Sequence, residues 1–159
     1  MDWRTSRRRR ASPAFLRKWA NQIGPPVWPD EIAKRLRVRV YEVEAYPDWD
    51  AALQFDQFNA KLWFFLHDHA GRDNMFIAYE LGRLHHSRYG SYKDRSPLLG
   101  PQGRDRAYRF AEQLLMPVDW LRYYGPGFRY NVPQLASLLL VEDHVMEARV
   151  EDLLRRGEL

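Results

Sequence analysis

A single carboxylate, that of Glu80, stands in the middle of an otherwise apolar stretch with helical periodicity that runs from Asn74 to His86. Burying an ionised carboxylate costs several kcal/mol unless a cation or hydrogen-bond donors meet it. We therefore expect Glu80 to face a cleft or a binding partner rather than the apolar core.

Tyr79 and Arg83 flank Glu80 at the spacing of a metal-binding helix. They are four residues apart and so share one helix face, with Glu80 about 100° round from Tyr79. This is the frame of the H-E-x-x-H motif, in which two histidines hold zinc and the glutamate is the general base. Here the glutamate is retained, whereas tyrosine and arginine stand at the histidine positions.

The chemistry of these replacements predicts that no metal or other cofactor binds at Glu80. Tyr79 is a poor ligand at neutral pH because the unperturbed pKa of tyrosine is about 10. Arg83 is always charged, has no lone pair to give and repels a divalent cation. Arg83 lies within reach of Glu80 for an ion pair, so one fixed cation could take the place of the metal. The alternative is an incidental surface pair of little energy.

Two segments of the sequence resemble a known family. Residues 76–84 read FIAYELGRL, and residues 106–117 read RAYRFAEQLLMP. Together they resemble the paired signature of the ImmA/IrrE-type metallopeptidases, which typically reads rFtlAHELGHll and then ExEAnxFAaeLLMP. The resemblance extends over the flanking segments, from about Pro26 to Arg156.

The resemblance implies a fold and a third ligand position. The implied fold is α+β and zincin-like, with a small antiparallel sheet packed on the H-E-x-x-H-type helix and on a second amphipathic helix, followed by C-terminal helices. The third zinc ligand of the family is an acid in the turn before the Ala-Asn of the second helix. The corresponding positions here are Arg104, Asp105 and Arg106, of which Arg104 and Arg106 match best. Asp105, the acid between them, lies on a different face. His86 and Tyr108 are further candidates for the cleft.

The family typically cleaves helix-turn-helix repressors during phage or mobile-element induction or in DNA-damage responses. With the ligands replaced, the resemblance implies a catalytically inactive regulatory protein that binds a protein partner, such as a helix-turn-helix regulator, through the former active-site cleft. A first alternative is an active zinc peptidase that cleaves a repressor with a rebuilt site drawn from His67, His69, Glu80 and His86. A second is a nucleic-acid accessory protein that works through an Arg-rich tail.

The net charge of +4 is unevenly distributed along the 159 residues. Residues 1–18 hold seven basic residues and one acid, and the remainder holds 18 basic and 20 acidic residues. We expect residues 1–12 to be a basic, solvated tail and residues 13–159 to form one domain. Nucleic acid could bind the tail through its arginines, Arg7, Arg8, Arg9 and Arg10.

The composition also suggests where the protein works. The absence of cysteine excludes disulfides and fits a reducing compartment. No apolar run approaches the roughly 20 residues that span a bilayer, and the basic N-terminus lacks the apolar region of a signal peptide. We expect a cytoplasmic protein that does not bind membranes.

The remaining patterns predict the elements that position the Glu80 helix. Two short helices should begin at Ser12-Pro13 and at Trp28-Pro29, the second with a stripe of Ile32, Ala33 and Leu36. Strands are expected at Arg37–Val43, Ala51–Phe55 and Lys61–Leu66, a covering loop at Ser87–Gly103, a helix at Arg104–Leu115, an aromatic loop at Val118–Tyr130, and helices at Pro133–Val141 and Asp143–Arg156. Acidic residues along the last helix would repel phosphates, so we expect this pair to pack rather than read DNA.

Overall fold

The computed structural model describes residues 12–43, 51–55, 60–65, 70–86 and 101–159, with side chains at 12–40, 70–85 and 104–159. Outside these ranges lie most of the basic tail, most of the expected loop after the Glu80 helix, His67, His69 and the side chain of His86. Over the described ranges the elements are α1 (Pro13–Trp19), α2 (Pro29–Arg35), β1 (Val38–Val43), β2 (Ala51–Phe55), β3 (Ala60–Phe65), α3 (Ala70–His86), α4 (Pro101–Leu115), α5 (Val118–Tyr124), α6 (Val132–Leu139) and α7 (Asp143–Arg155).

The described chain is mostly helical, and the predicted α+β, zincin-like fold with an antiparallel sheet is wrong. Helices pack mainly on helices, because the apolar stripes of α3, α4, α6 and α7 face one another. The three short strands are ordered β1-β3-β2, and β1 runs parallel to β3 while β2 runs antiparallel to it. Alternating apolar residues indicate a strand but carry no information about its direction, which explains this part of the error.

The first two helices begin where the sequence predicts. The Ser12 Oγ accepts a hydrogen bond from the Phe15 amide at 3.3 Å, and Pro13 occupies the first turn of α1. In α2 the predicted stripe of Ile32, Ala33 and Leu36 is buried. α2 therefore docks on the core with the face expected from its periodicity, whereas in α1 Leu16 is buried but Phe15 is 49% exposed.

Three later boundaries differ from the prediction. α3 begins at Ala70, four residues before Asn74, and α4 begins at Pro101, three residues before Arg104. The segment after Pro117 starts with helix α5 rather than an aromatic loop. Pro117 precedes this helix, Asp119 lies in its first turn and Arg122 in its last, and these are ordinary boundary signals that the aromatic side chains obscured.

Side chains from distant elements hold the helix ends in place. Arg17 of α1 donates from Nη1 to the carbonyl oxygens of Gln113 at 2.5 Å and Leu114 at 3.1 Å, at the C-terminus of α4. These carbonyls have no partner within the helix, and a cation there also opposes the helix dipole. The Asn74 side chain of α3 donates to the carbonyl of Leu140 at 3.2 Å, where the backbone is left-handed with φ 51°. Both contacts tie α3 and α4 to the rest of the core. In the part of the chain that the structure describes, no helix combines the length and apolar character needed to cross a bilayer.

Gly82 sets the distance between α3 and α4. A Cβ added there would lie 2.7 Å from the Ala107 carbonyl oxygen and 3.1 Å from the Phe110 Cβ. The first of these atoms is backbone and cannot rotate away. The two helices can approach this closely only because residue 82 has no side chain.

We expect Gly82→Ala to lower the free energy of unfolding by about 1–2 kcal/mol, because α4 must shift and the overpacking strain exceeds the gain in helix propensity. Urea unfolding measures the change. Gly24→Ala is the matched control, since nothing lies within 4 Å of a Cβ built at Gly24. An equal or smaller loss in Gly82→Ala would contradict the close packing described here.

Candidate functional site between α3 and α4

The predicted ion pair between Glu80 and Arg83 is present and buried. Arg83 donates from a single nitrogen, Nη1, to Oε1 at 3.0 Å and to Oε2 at 2.9 Å of the Glu80 carboxylate. Glu80 is 4% exposed, and the Arg83 side chain is 21% exposed. The pair is therefore not an incidental surface pair, because a carboxylate this deeply buried depends on its cation for compensation.

Burial raises the pKa values of Glu80 and Tyr79, and neighbouring positive charges lower them. Burial raises the pKa of Glu80, and the positive charge of Arg83 and its hydrogen bonds oppose that rise. Burial also raises the pKa of Tyr79, against the positive charges of Arg83 and Arg104. At neutral pH Tyr79 therefore presents a neutral hydroxyl beside a compensated carboxylate.

The positions that should carry the third ligand lie in the first part of α4, and they bring one cation, Arg104, and one acid, Asp105, near the site. Arg104 and Arg106 are both exposed. Arg104 and Asp105 are near enough to shift the pKa of Tyr79, which joins the beginning of α4 to the face of α3 that carries the site. This favours Arg104 over Arg106 as the position equivalent to a third ligand. The site thus consists of Tyr79, Glu80 and Arg83 of α3, with Arg104 and Asp105 of α4 nearby.

Of the two other predicted cleft residues, Tyr108 does not join this site in the described structure. Tyr108 is 39% exposed, and burial together with the charge of Glu112, one turn further along α4, raises its pKa. No described contact links Tyr108 to Glu80. The side chain of His86 lies outside the described residues, but the preceding His85 stacks on Phe110 of α4 with ring centroids 4.9 Å apart. The end of α3 therefore packs on α4.

The residues present do not fit a catalytic zinc ion. Among the residues that the structure describes, no group of three or more His, Asp or Glu side chains is placed to hold a metal. The Arg83 guanidinium lies against both carboxylate oxygens of Glu80, so the general-base position is taken up by an ion pair. A protonated Tyr79 offers a weak ligand, and two arginines repel a divalent cation.

A second buried ion pair, between Glu112 of α4 and Arg149 of α7, was not anticipated from the sequence. Glu112 is 8% exposed and Arg149 is 5% exposed. The Arg149 Nη1 lies 3.8 Å from Oε2 of Glu112, and its Nε donates to the Met116 carbonyl at 3.4 Å. A signal did exist, because Arg149 falls within the apolar stripe of α7 at helical spacing from Val145 and Leu153.

Comparison of the sequence with protein-family models and with curated proteins found no significant match.

Proposed function

We propose that this chain is a degenerate relative of the ImmA/IrrE-type metallopeptidases that binds a cytoplasmic protein partner through the α3–α4 site and does not hydrolyse it. The observation that carries the proposal is the Arg83 guanidinium bonded to both oxygens of Glu80. In an H-E-x-x-H helix this carboxylate must be free to accept a proton from metal-bound water. A carboxylate held in this way by a partly buried arginine of the same helix is not free to act as that base.

The chemistry around the pair supports recognition of an anionic group. Tyr79 is partly buried and offers a hydroxyl donor, while Arg104 is an exposed cation next to it. Arg83 is largely occupied by Glu80 through Nη1, which leaves its second terminal nitrogen available for a further acceptor. An acidic side chain or a chain-terminal carboxylate of a partner fits this set of donors. A helix-turn-helix regulator is the partner class that the resemblance suggests.

The experiment that tests this function combines metal analysis, a peptidase assay and partner capture. We expect no stoichiometric zinc in protein purified without chelator, and no cleavage of a captured helix-turn-helix regulator. Binding of that regulator should fall with Tyr79→Ala combined with Arg104→Ala. Arg155→Ala, an exposed position on α7, is the matched control and should bind normally. One zinc per chain, or hydrolysis that disappears in Glu80→Gln, would instead establish the active peptidase.

A further inference from the structure

A cavity of about 300 Å³ lies away from the α3–α4 site, where α1, α4, α5 and α7 meet. This volume is at the lower end of the range for small-molecule sites. Its lining carries four arginines and three acids, Arg17, Arg109, Arg149, Arg156, Glu112, Asp119 and Glu158. Several of these charges are already engaged, so the groups that remain available define which ligand the cavity fits.

Two of the arginines are engaged by neighbouring groups. Arg17 donates to the carbonyls of Gln113 and Leu114 at the end of α4. Arg156 is hydrogen-bonded to the Asp152 carboxylate and lies 3.3 Å from the Glu158 carboxylate. These two side chains therefore form the wall of the cavity rather than its binding groups.

Glu112 and Arg149 are largely buried, with side chains 11% and 6% exposed, and are incompletely satisfied by the described residues. Their closest approach is 3.8 Å, which is too long for a hydrogen bond. The terminal nitrogens of Arg149 make no hydrogen bond to another described residue, and the Glu112 carboxylate accepts none from that part of the chain. A buried charge without hydrogen bonds costs more than a polar group left in water. The cavity thus presents one donor fork and one carboxylate, side by side and facing a space large enough for a ligand.

Arg109 adds a third available charge near the mouth. It lies one turn before Glu112 on α4, is exposed, and forms no ion pair or hydrogen bond with the other described side chains. Its positive charge acts on Glu112, so the two side chains are close. Asp119, the remaining acid of the lining, is 88% exposed and lies 3.9 Å from Arg122. The groups available inside the cavity are therefore two cations and one carboxylate.

We propose that this cavity binds a free acidic amino acid, with the ammonium group on Glu112, the α-carboxylate on Arg149 and the side-chain carboxylate on Arg109. An α-amino acid carries its ammonium and carboxylate on one carbon, as the adjacent Glu112 and Arg149 require. The second carboxylate balances the additional cation. This binding site is independent of the proposed function of the α3–α4 site.

The test is a titration of the full chain with L-glutamate and with L-aspartate, in which binding is measured by calorimetry and by thermal unfolding. At least one of them should raise the melting temperature progressively with concentration, as mass action requires. N-acetyl-L-glutamate lacks the ammonium group, L-glutamate α-amide lacks the α-carboxylate, and L-glutamine lacks the side-chain carboxylate. The affinity for each of these compounds should be at least about tenfold lower than that for the parent acidic amino acid. A tenfold loss corresponds to one lost ion pair at about 1.4 kcal/mol.

Arg109→Gln separates ligand binding from stability, because the exposed side chain can be replaced without disturbing the core. It should weaken L-glutamate about tenfold and leave L-glutamine unchanged. Arg106→Gln is the matched control, an exposed arginine on the same helix outside the cavity lining, and should bind as the parent protein does. Absence of stabilisation by both acidic amino acids would overturn the proposal. So would equal binding of the acetylated or amidated compounds, or equal weakening by the two arginine variants.

Discussion

Zinc binding is expected to appear when Tyr79→His, Arg83→His and Arg104→Glu are combined. The first two changes place imidazoles four residues apart on one face of α3, and the third supplies a carboxylate from the beginning of α4. Removing both arginines also removes the charge that opposes a cation. The electrostatic effect of Arg104 on Tyr79 and the close approach of α3 and α4 at Gly82 support this geometry.

We expect a dissociation constant in the micromolar range, which corresponds to about −8 kcal/mol at 1 μM. The measurement is a zinc titration by calorimetry, checked by thermal stabilisation that grows with zinc concentration. The matched control carries Arg106→Glu instead of Arg104→Glu and should bind more weakly. If both triple variants fold and neither binds zinc, the two helices do not meet as the H-E-x-x-H resemblance implies. Tighter binding by the Arg106→Glu variant would contradict the placement of Arg104.

Arg83→Ala is expected to lower the free energy of unfolding by about 3 kcal/mol at pH 7.5. Removing one member of a buried ion pair leaves the other uncompensated, and this usually costs about 3–5 kcal/mol. The lower end applies because Glu80 can take up a proton when Arg83 is absent. The control is Lys34→Ala, which breaks a pair of the same i,i+3 spacing with Glu31 at 2.6 Å on the surface. It should change stability by about 0.5 kcal/mol or less.

The loss in Arg83→Ala should depend on pH. The pKa of Glu80 is raised in the folded protein by burial, and loss of Arg83 raises it further. Between the ordinary pKa of a glutamate and this raised value, the folded state binds more protons than the unfolded state, so stability falls as pH rises. The variant should therefore recover stability as the pH is lowered toward the ordinary range of a glutamate. A pH-independent difference from the parent protein would show that Glu80 is not the group left uncompensated.

The parts of this structure that follow from short-range patterns could be predicted. The stripe of Ile32, Ala33 and Leu36 and the cap at Ser12 depend on neighbours within one or two turns. The pair of Glu80 and Arg83 was predictable for the same reason, since residues three apart on a helix meet on its surface. The starts of α3 and α4 were less predictable, because both helices begin before the residues whose apolar periodicity defined their predicted extent.

Features that depend on the tertiary arrangement could not be read from the sequence. Glu112 and Arg149 are 37 residues apart, and only the packing of α7 on α4 brings them together. The parallel pairing of β1 and β3 likewise depends on how the chain crosses between strands. The family resemblance suggested an antiparallel sheet at this point, and the described structure does not have one.

The contact between Arg17 and the end of α4 has a consequence for synthesis on the ribosome. Arg17 and Gln113 are 96 residues apart, so at about 5–20 residues per second α1 waits roughly 5–20 s for the carbonyls that it caps. A seven-residue helix is marginal on its own. Until α4 has been translated, α1 lacks the helix on which it packs, and Leu16, which is 1% exposed in the folded protein, cannot reach its final packing. We therefore expect α1 to dock only after α4 has been made, although α1 precedes α4 in the chain.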